Sequence, residues 1–381
     1  IWVDPDTDND TMEKINSDNA FTLSTGDMVF ICDNVKKRVP GSSMYTVYTD
    51  DDGNTTGEDF KGENLITGTI KGVAENRTPT VYFLSGHGEK SLDSYTKFTT
   101  NLTNYNYTAK ELNLSETDSV PDDAALVLVA APSKDITDAE AEKLNAYLDN
   151  GGNISLLMSP NGGAFAYTNL EAIMKDYGFY MDYDRVSETN SNYHISGDKY
   201  TIQCELNELD DDSEATDLTS SLLNQGLYTF MPESRSFRYN DEGGKYTIAP
   251  LITTYDSAEG EPYGGISDDP EKQSGQMLLA ADSTSIARND SKMVVFGNAE
   301  FIDDEHVSDD TVIVPVYLFL STISWMYDSD IDMEISTKST TNDYISLQDA
   351  GFAKGLMVVL TVIPVAIMAA GIGIWIKRRN S

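Results

Sequence analysis

The loop Ser85-Gly-His-Gly-Glu89 carries the residues of this sequence that are best suited to chemistry. His87 and Glu89 could bind a sugar hydroxyl, hold a metal ion or work as an acid–base pair. We favour a structural interpretation, in which Gly86 and Gly88 shape a tight turn and His87 caps the following helix or satisfies a buried backbone group. Catalysis is disfavoured, because no nucleophile with a matching base is visible. We therefore expect Gly86→Ala to cost about 1 kcal/mol or more of stability. We expect His87→Ala to cost less than that.

Clusters of acidic residues raise the question of a metal site. Asp4–Asp10 offers oxygens at alternate positions, as an EF-hand loop does. Its sixth position is Asn9 and its twelfth is Ile15, where calcium coordination needs Gly and Glu. Cys32 and Cys204 stand in no metal-ligand spacing, and they form either one disulfide or two buried free thiols. The sequence therefore predicts neither a metal nor a cofactor.

The net charge and the absent motifs exclude two classes of function. The formal charge is −37, and the last 27 residues contribute +3, so residues 1–354 carry −40. Such a charge repels nucleic acid and anionic lipid headgroups. The sequence contains no Walker-type phosphate loop and no G-x-S-x-G elbow. Nucleic-acid binding and nucleotide-driven motor activity are thereby excluded.

From Thr80 onward the sequence repeats a pattern of strand, loop and helix. Apolar runs predict buried parallel strands at Thr80–Leu84, Ala124–Ala131, Asn153–Met158 and Lys292–Gly297. Their alternation with helical segments predicts an α/β fold with a mostly parallel sheet and helices on both faces. Further β-like runs predict antiparallel additions to that sheet at Tyr228–Arg238, Tyr246–Tyr255 and Gln276–Ala281.

Parallel strands present their carboxyl ends to one crevice, where ligands usually bind. We expect four loops to meet there: Ser85–Glu89, Ala131–Ser133, Ser159–Gly163 and Asn298–Glu300. The candidate ligand- or partner-binding residues are therefore His87, Glu89, Ser133, Ser159, Asn298 and Glu300.

The C-terminal end predicts a membrane anchor. Gly355–Ile376 contains no charged residue and would span roughly 33 Å as a helix, enough for a bilayer core. The basic run 377–379 follows it, which places that end in the cytoplasm by the positive-inside rule. Ala366 and Ala370 would share a face on which another helix could pack closely.

These features divide the chain into five segments. They are an acidic N-terminal segment with short strands and a helix (1–78), an extracytoplasmic α/β domain (79–328), a juxtamembrane spacer (329–354), a transmembrane helix (355–376) and a cytoplasmic basic tail (377–381). The sequence opens at Ile1 without an initiator Met, so we expect an upstream segment to carry the chain across the membrane.

A set of segments occurs in the order found in a known family. They are Phe60-Lys-Gly-Glu63, Pro79–Glu89, Ala130-Ala-Pro132, Thr137–Gly152, Val294–Phe301, the helix reaching Ile323-Ser-Trp325, and the terminal span with its basic end. Together they resemble the GldG family, auxiliary components of ABC transporters that are named for bacterial gliding motility. The resemblance covers about residues 58–381.

The resemblance implies a protein of the bacterial cell membrane whose extracytoplasmic domain is attached to, or fused with, an ABC-2 type permease. It also implies a separate ATPase on the cytoplasmic side. The α/β unit would be flavodoxin-like, or similar to glutamine-amidotransferase-like domains that have lost their catalytic cysteine. Neither Cys32 nor Cys204 ends a core strand ahead of a helix, in keeping with that loss. Related domains are sometimes regarded as carbohydrate binding, so carbohydrate joins membrane lipid as a candidate partner.

We predict a non-enzymatic extracytoplasmic accessory subunit or domain of an ABC-type transport complex, binding or gating on the outer face of the permease. One alternative is a membrane-tethered glycan- or solute-binding module that is independent of a transporter. The other is a degenerate hydrolase that uses His87 and Glu89. Neighbouring genes for an ATPase and a permease would favour the first function, and a ligand in the crevice would favour the second. Turnover that is lost on changing His87 would favour the third.

Overall fold

A computed structural model describes most of the chain. The described residues are 2–4, 7–16, 21, 23–33, 35–49, 55–60, 62–75, 79–105, 107–209, 213, 215–224, 229–240, 244–265, 273–307, 310–327, 338–339, 375 and 378–379. The chain divides into two units, one formed by Ile1–Thr46 with Phe60–Lys338 and the other by Val47–Asp59 with Ser339–Ser381. The first unit contains the elements that position the candidate site.

The helices and strands of the described residues have the following bounds. The helices are α1 (Asn9–Ile15), α2 (Gly62–Glu75), α3 (Thr96–Asn104), α4 (Asp138–Asp149), α5 (Thr168–Lys175), α6 (Ser220–Asn224) and α7 (Ile313–Met326). The strands are β1 (Met28–Cys32), β2 (Val35–Val39), β3 (Tyr45–Thr49), β4 (Thr55–Phe60), β5 (Thr80–Leu84), β6 (Thr108–Leu112), β7 (Ala124–Ala130), β8 (Ile154–Leu157), β9 (Phe179–Met181), β10 (Asp184–Glu188), β11 (His194–Ile195), β12 (Asp198–Leu206), β13 (Thr229–Met231), β14 (Phe237–Tyr239), β15 (Tyr246–Thr253), β16 (Ala258–Pro262), β17 (Gln273–Ser274), β18 (Leu278–Ser285), β19 (Ser291–Phe296) and β20 (Lys338–Ser339).

Five parallel strands form the core of the large sheet, in the order β6-β5-β7-β8-β19. Numbered along the chain, that order is 2-1-3-4-5, which is the order of doubly wound folds such as flavodoxin. The centre of β7 is fully buried from Leu126 to Val129, which explains why this strand is apolar throughout rather than alternating. The predicted parallel sheet is therefore confirmed.

Helices cover both faces of this core, because successive side chains of a strand point to opposite faces. On one face Phe83 of β5 belongs to a buried cluster with Phe98 of α3 and Phe319 of α7, whose rings stack at 5.7 Å. On the other face Val127 of β7 belongs to a second cluster with Leu144 of α4 and with side chains of α5. Burial of each such side chain contributes about 1.5–3 kcal/mol, so the two clusters hold the helices on the sheet.

Antiparallel strands extend the sheet beyond β19. β18 pairs with β19, β15 with β18, and β12 with β15, while β11 and β13 flank β12. β14 pairs with β18 and β9, and β10 forms a small separate sheet with β16 and β17. The predicted additions are therefore present, although the run Tyr228–Arg238 contains two short strands, β13 and β14. Pro232 comes directly after β13, and proline cannot donate a hydrogen bond to a sheet.

The N-terminal part of the first unit has a small core of its own. β1 and β2 form an antiparallel hairpin, and Leu65 of α2 clusters with Val39 and Met44. Most residues of another small sheet, of order β20-β4-β3, belong to the second unit. Cys32 and Cys204 are both free thiols, so of the two alternatives for the cysteines the disulfide is not formed.

Among the described residues, no helix combines the length and the apolar character needed to cross a membrane. The predicted span 355–376 lies outside the described residues except for Trp375, and Ala366 and Ala370 lie outside them as well.

Candidate functional site at the carboxyl edge of the sheet

Two loops meet at the point where the chain changes faces of the sheet. From β5 the chain continues to α3 on one face, and from the neighbouring strand β7 it continues to α4 on the other. The loops Ser85–Glu89 and Ala131–Ser133 therefore diverge at the carboxyl edge between these strands. Doubly wound folds bind their ligands in this position, which is why we place the candidate site here.

The two glycines of the first loop have backbone conformations that other residues avoid. Gly86 has a φ of +112° and Gly88 a φ of +87°. A Cβ atom at Gly88 would also come within 1.8 Å of the Ser133 hydroxyl oxygen, whereas one at Gly86 would lie 3.6 Å from its nearest neighbour, Oδ1 of Asn113. Gly86 is therefore needed for its backbone angle, and Gly88 for both its angle and its close approach to the second loop.

His87 lies buried between two carboxylates. Its side chain is 3% exposed, with Nδ1 3.3 Å from Oε1 of Glu89 and Nε2 3.1 Å from Oε2 of Glu140. Burial lowers the pKa of His87, but the hydrogen bonds and charges of Glu89 and Glu140 outweigh it and raise that pKa above its ordinary value. Each ring nitrogen faces a carboxylate oxygen, so the protonated ring can donate one N–H to each acid.

Glu140 connects this histidine to the start of helix α4. Thr137 is the N-cap of α4, and Oε2 of Glu140 accepts hydrogen bonds from its backbone N–H at 2.9 Å and its hydroxyl at 2.7 Å. Burial raises the pKa of Glu140, but the Thr137 and His87 hydrogen bonds outweigh it and lower that pKa. A capping box that normally satisfies only its own helix end thus also holds the loop after β5.

Glu89 closes the loop on itself. Its Oε2 accepts the backbone N–H of His87 at 2.7 Å, while Oε1 faces the ring. In anion-binding loops at such strand ends, backbone N–H groups point at a bound phosphate. Here the Glu89 carboxylate accepts the hydrogen bond from the His87 N–H in place of an anion.

The second loop is bonded to the first through its backbone. Ser133 donates to the His87 carbonyl oxygen from its N–H at 2.8 Å and from its hydroxyl at 3.1 Å. Ala131 has a φ of +49°, a left-handed conformation that costs an alanine energy, and its N–H donates to Leu157 O at 2.8 Å. The strained turn brings Ser133 against His87, so these two predicted residues do meet.

The other two predicted loops meet each other. Ser159, after β8, accepts the Ala299 N–H at 3.0 Å with its hydroxyl. Asn298, after β19, is 1% exposed, accepts the Glu300 N–H at 2.5 Å and donates to Glu233 O at 2.6 Å. The six predicted residues therefore form two clusters: His87, Glu89 and Ser133 in one, and Ser159, Asn298 and Glu300 in the other.

Two contacts join the clusters. Lys90, next to Glu89, pairs with Asp303 near Glu300 at 2.5 Å, and the Tyr167 hydroxyl donates to Pro132 O at 2.6 Å. The four loops thus share one edge of the sheet, where their polar side chains form two clusters rather than one. Most of their polar groups bond to the protein itself.

A buried arginine that sequence reasoning missed lies behind Ser159. Arg235 is 0% exposed, donates to Ser159 O at 2.9 Å, and lies 5.7 and 5.6 Å from the ring centroids of Tyr167 and Tyr183. Burial lowers its pKa. It stood in a run that the pattern predicted to be a strand, and no local signal marked it. The contact of Glu140 with His87 spans 53 positions and leaves no trace in local sequence.

One group of residues has the side chains that metals prefer. The candidate ligand atoms of Asp303, Glu305 and His306 lie within 4.8 Å of one another. Asp303 already pairs with Lys90, and its other oxygen lies 2.7 Å from Nδ1 of His306. Burial raises the pKa of Asp303, but these two hydrogen bonds outweigh it and lower that pKa. Because the ammonium group of Lys90 neutralises the central carboxylate, we assign no metal here.

Comparison with known proteins identifies a family. The model of ABC_transp_aux, described as an ABC-type uncharacterized transport system, matches residues 78–312, more than half of the chain. No curated protein matches the chain significantly.

Solved structures with a similar arrangement are distant. The mmIFT52 N-terminal domain has a TM-score of 0.47 and 16% identity, over 66% of this chain and 99% of that one. A protein from Thermoplasma acidophilum that is described as part of a GMP synthase has a TM-score of 0.32 and 7% identity, over 66% and 96%. The exo-beta-1,4-mannosidase Op5Man5 from Opitutaceae bacterium strain TAV5 has a TM-score of 0.33 and 10% identity, over 74% and 41%.

Proposed function

We propose a function from one premise: the chain belongs to the ABC_transp_aux family. It is therefore an auxiliary component of an ABC-type transport system. The finer function that we propose is a non-enzymatic accessory one, in which the α/β domain lies outside the cytoplasm and binds or gates on the outer face of an ABC-2 type permease. A separate cytoplasmic ATPase would supply the energy, since the sequence has no Walker-type loop of its own.

The pairing of His87 carries the non-enzymatic part of this proposal. A general base needs a free nitrogen within reach of a substrate proton. Both ring nitrogens of His87 face carboxylates, Glu89 and Glu140, and the side chain is buried. The most distinctive motif of the sequence is thus better suited to fixing the loop on α4 than to turning over a substrate.

The membrane part of the proposal is supported by the sequence. The uncharged run 355–376 with its basic flank is typical of a single span with a cytoplasmic end. If it is a helix, Ala366 and Ala370 offer a face for close packing, and Met368 lies roughly 200° around the axis from both. We propose that the small-residue face contacts the permease.

Affinity purification of the full chain from its native membrane tests this function. We expect the wild type to co-purify with a permease and an ATPase. Ala366→Leu with Ala370→Leu should insert normally but recover less permease, because the larger side chains prevent close approach. Met368→Leu is the matched control on the opposite face and should recover the wild-type amount. A wild type that brings down neither protein would contradict the proposal.

Cysteine labelling tests the topology separately. In intact cells, a cysteine at Ser213, an exposed residue of the α/β domain, should react with a membrane-impermeant thiol reagent. A cysteine at Ser381 should be protected until the membrane is permeabilised. Labelling of the tail but not of the domain would reverse the proposed orientation.

A further inference from the structure

A cleft opens beside the second cluster of the site. It has a volume of about 370 Å³, within the range of small-molecule sites. It lies between the turn after β19, which contains Glu300, and the strands β10, β11 and β12, which contribute Arg185, Ile195 and Tyr200. The cleft thus lies where the parallel core meets its antiparallel extension, away from the His87 cluster.

Arg185 and His306 are the basic side chains that line the cleft, and the charge of Arg185 is paired with an acid. Nε of Arg185 lies 2.7 Å from Oε1 of Glu233, and the guanidinium carbon lies 3.4 Å from the centroid of the Tyr200 ring. An arginine that is paired and stacked in this way offers little to an anionic ligand. The Tyr200 hydroxyl in turn donates to Glu261 at 3.0 Å, so this wall is fixed.

Glu300 is different, because its carboxylate lacks a partner. Within the described part of the chain, this half-buried carboxylate has neither a hydrogen bond nor an ion pair, although the turn that carries it is held by the buried Asn298. Burial raises the pKa of Glu300, and Glu233 and Asp303 add to that rise, while His306 and Lys90 oppose it. Lys90 and His306 both pair with Asp303 instead, so a ligand cation would supply the direct partner that Glu300 lacks among the described residues.

The charge balance of the cleft favours a cation as well. Once Arg185 and Glu233 offset each other, the acids Glu300 and Asp198 remain, together with His306, whose Nδ1 faces Asp303 rather than Glu300. Asp198 accepts hydrogen bonds from the Thr201 hydroxyl at 2.6 Å and from the Tyr200 N–H at 3.0 Å, so its charge is stabilised in place. The chain as a whole carries −37, which repels anions and attracts cations to the surface.

We infer that this cleft binds a small organic ligand through a primary ammonium group, with Glu300 as the counter-ion. Arg185 and Tyr200 form the fixed wall, and the half-exposed Ile195 lies at the cleft as its apolar side. The inference goes beyond the proposed function: it concerns a ligand of the chain itself, and it stands or fails whether or not the chain binds a permease.

Calorimetric titration of the purified full chain with butane-1,4-diamine tests the inference, with butane-1,4-diol as the uncharged probe of the same length. We expect the diamine to bind and the diol not to bind. Glu300→Gln should weaken diamine binding about tenfold or more, which corresponds to about 1.4 kcal/mol. Glu142→Gln removes the same charge from an exposed position of α4 and should leave the affinity within about twofold.

A second variant adds a charge instead of removing one. Ile195→Lys, on the short strand β11, places an ammonium group at the cleft and should also weaken diamine binding, because it offers Glu300 an internal partner. Thermal unfolding of each variant shows whether it is folded. Equal binding by the wild type and Glu300→Gln would overturn the inference, as would equal binding of diol and diamine. Binding of Mg²⁺ but not of the diamine, lost in Glu300→Gln, would overturn it in favour of a metal site.

Discussion

The turn after β5 and the turn after β19 each place a glutamate at the same edge of the sheet, but the two carboxylates have opposite surroundings. Glu89 accepts the backbone N–H of His87 and faces its ring, and its side chain is 2% exposed. Glu300 faces a cleft and has no such partner in the described part of the chain. A polar group that is satisfied inside the protein fixes one conformation, whereas an unsatisfied one at a cavity wall can gain from a ligand.

The comparison separates a motif that is distinctive in the sequence from a side chain that is available to bind a ligand. The Gly-His-Gly loop stands out in the sequence, yet the backbone and ring of His87 and the carboxylate of Glu89 are bonded to the protein. Glu300 was a candidate from sequence only by its place after a core strand, and the structure adds that Asn298 fixes its turn and that Arg185 and Tyr200 form the opposite wall. Residue types that are capable of chemistry therefore locate the edge of the sheet that holds the candidate site. Their hydrogen bonds decide which of those side chains can still bind a ligand.

The largest effect that we predict comes from removing the imidazole. His87→Ala leaves Glu89 and Glu140 without their shared counter-charge, and breaking a buried ion pair costs about 3–5 kcal/mol. Urea unfolding measures this loss. The double variant His87→Ala with Glu140→Gln should recover part of it, because one unpaired charge is gone. A loss below about 1 kcal/mol would mean that the loop is held without the histidine.

A smaller effect is predicted for the glycines. Gly86→Ala should cost about 1 kcal/mol, from its positive φ alone. Gly88→Ala should cost more, up to about 3 kcal/mol, because its Cβ would also overlap the Ser133 hydroxyl. Ser133→Gly should bring the Gly88→Ala loss back towards that of Gly86→Ala in unfolding experiments. Equal losses for the two alanine variants would show that the contact with Ser133 adjusts without cost.

This order of effects reverses the expectation from sequence, which placed Gly86→Ala above His87→Ala. The sequence showed a histidine between two glycines and a glutamate two residues on. It could not show Glu140, which reaches His87 only after α4 has packed on the sheet. A charge pair between distant elements depends on tertiary packing, so local sequence carries no signal of it.

The fold itself was largely predictable, because burial on both faces leaves a direct record in the sequence. β7 is an uninterrupted apolar run, and β8 is apolar except for the buried Ser155. The antiparallel part was less predictable. β13 and β14 have only three residues each, and the segment between them holds Pro232 and the buried Arg235 rather than a continuous strand. Polar residues that are buried by long-range contacts do not follow the alternation of polar and apolar residues by which a strand is recognised in a sequence.

The pH dependence of stability distinguishes the paired region from the rest. The pKa of His87 is raised in the folded state, so its contribution is fully present below about pH 6.5 and is lost as pH rises through the folded pKa. The pKa of Glu140 is lowered, so its contribution is present above about pH 4.5 and is lost as pH falls through the folded pKa. Urea midpoints of the wild type should therefore fall above pH 6.5 relative to His87→Gln, which cannot titrate. Parallel pH profiles of the two proteins would contradict the charged pairing.

The smallest effect is predicted for the unpaired glutamate, and it has the opposite sign to that of His87→Ala. Glu300→Gln should change the free energy of unfolding at pH 7 by no more than about 0.5 kcal/mol, in the stabilising direction, because no partner is lost and a half-buried charge is removed. The pKa of Glu300 is raised in the folded state, so the wild type is relatively more stable below about pH 4.5 and loses that advantage as pH rises through the folded pKa. The difference between variant and wild type should therefore vanish at low pH and appear towards neutrality in urea unfolding, while Glu142→Gln shows no such trend. A destabilisation above about 1 kcal/mol at pH 7 would mean that Glu300 is paired within the protein, and the contrast between the two turns would disappear.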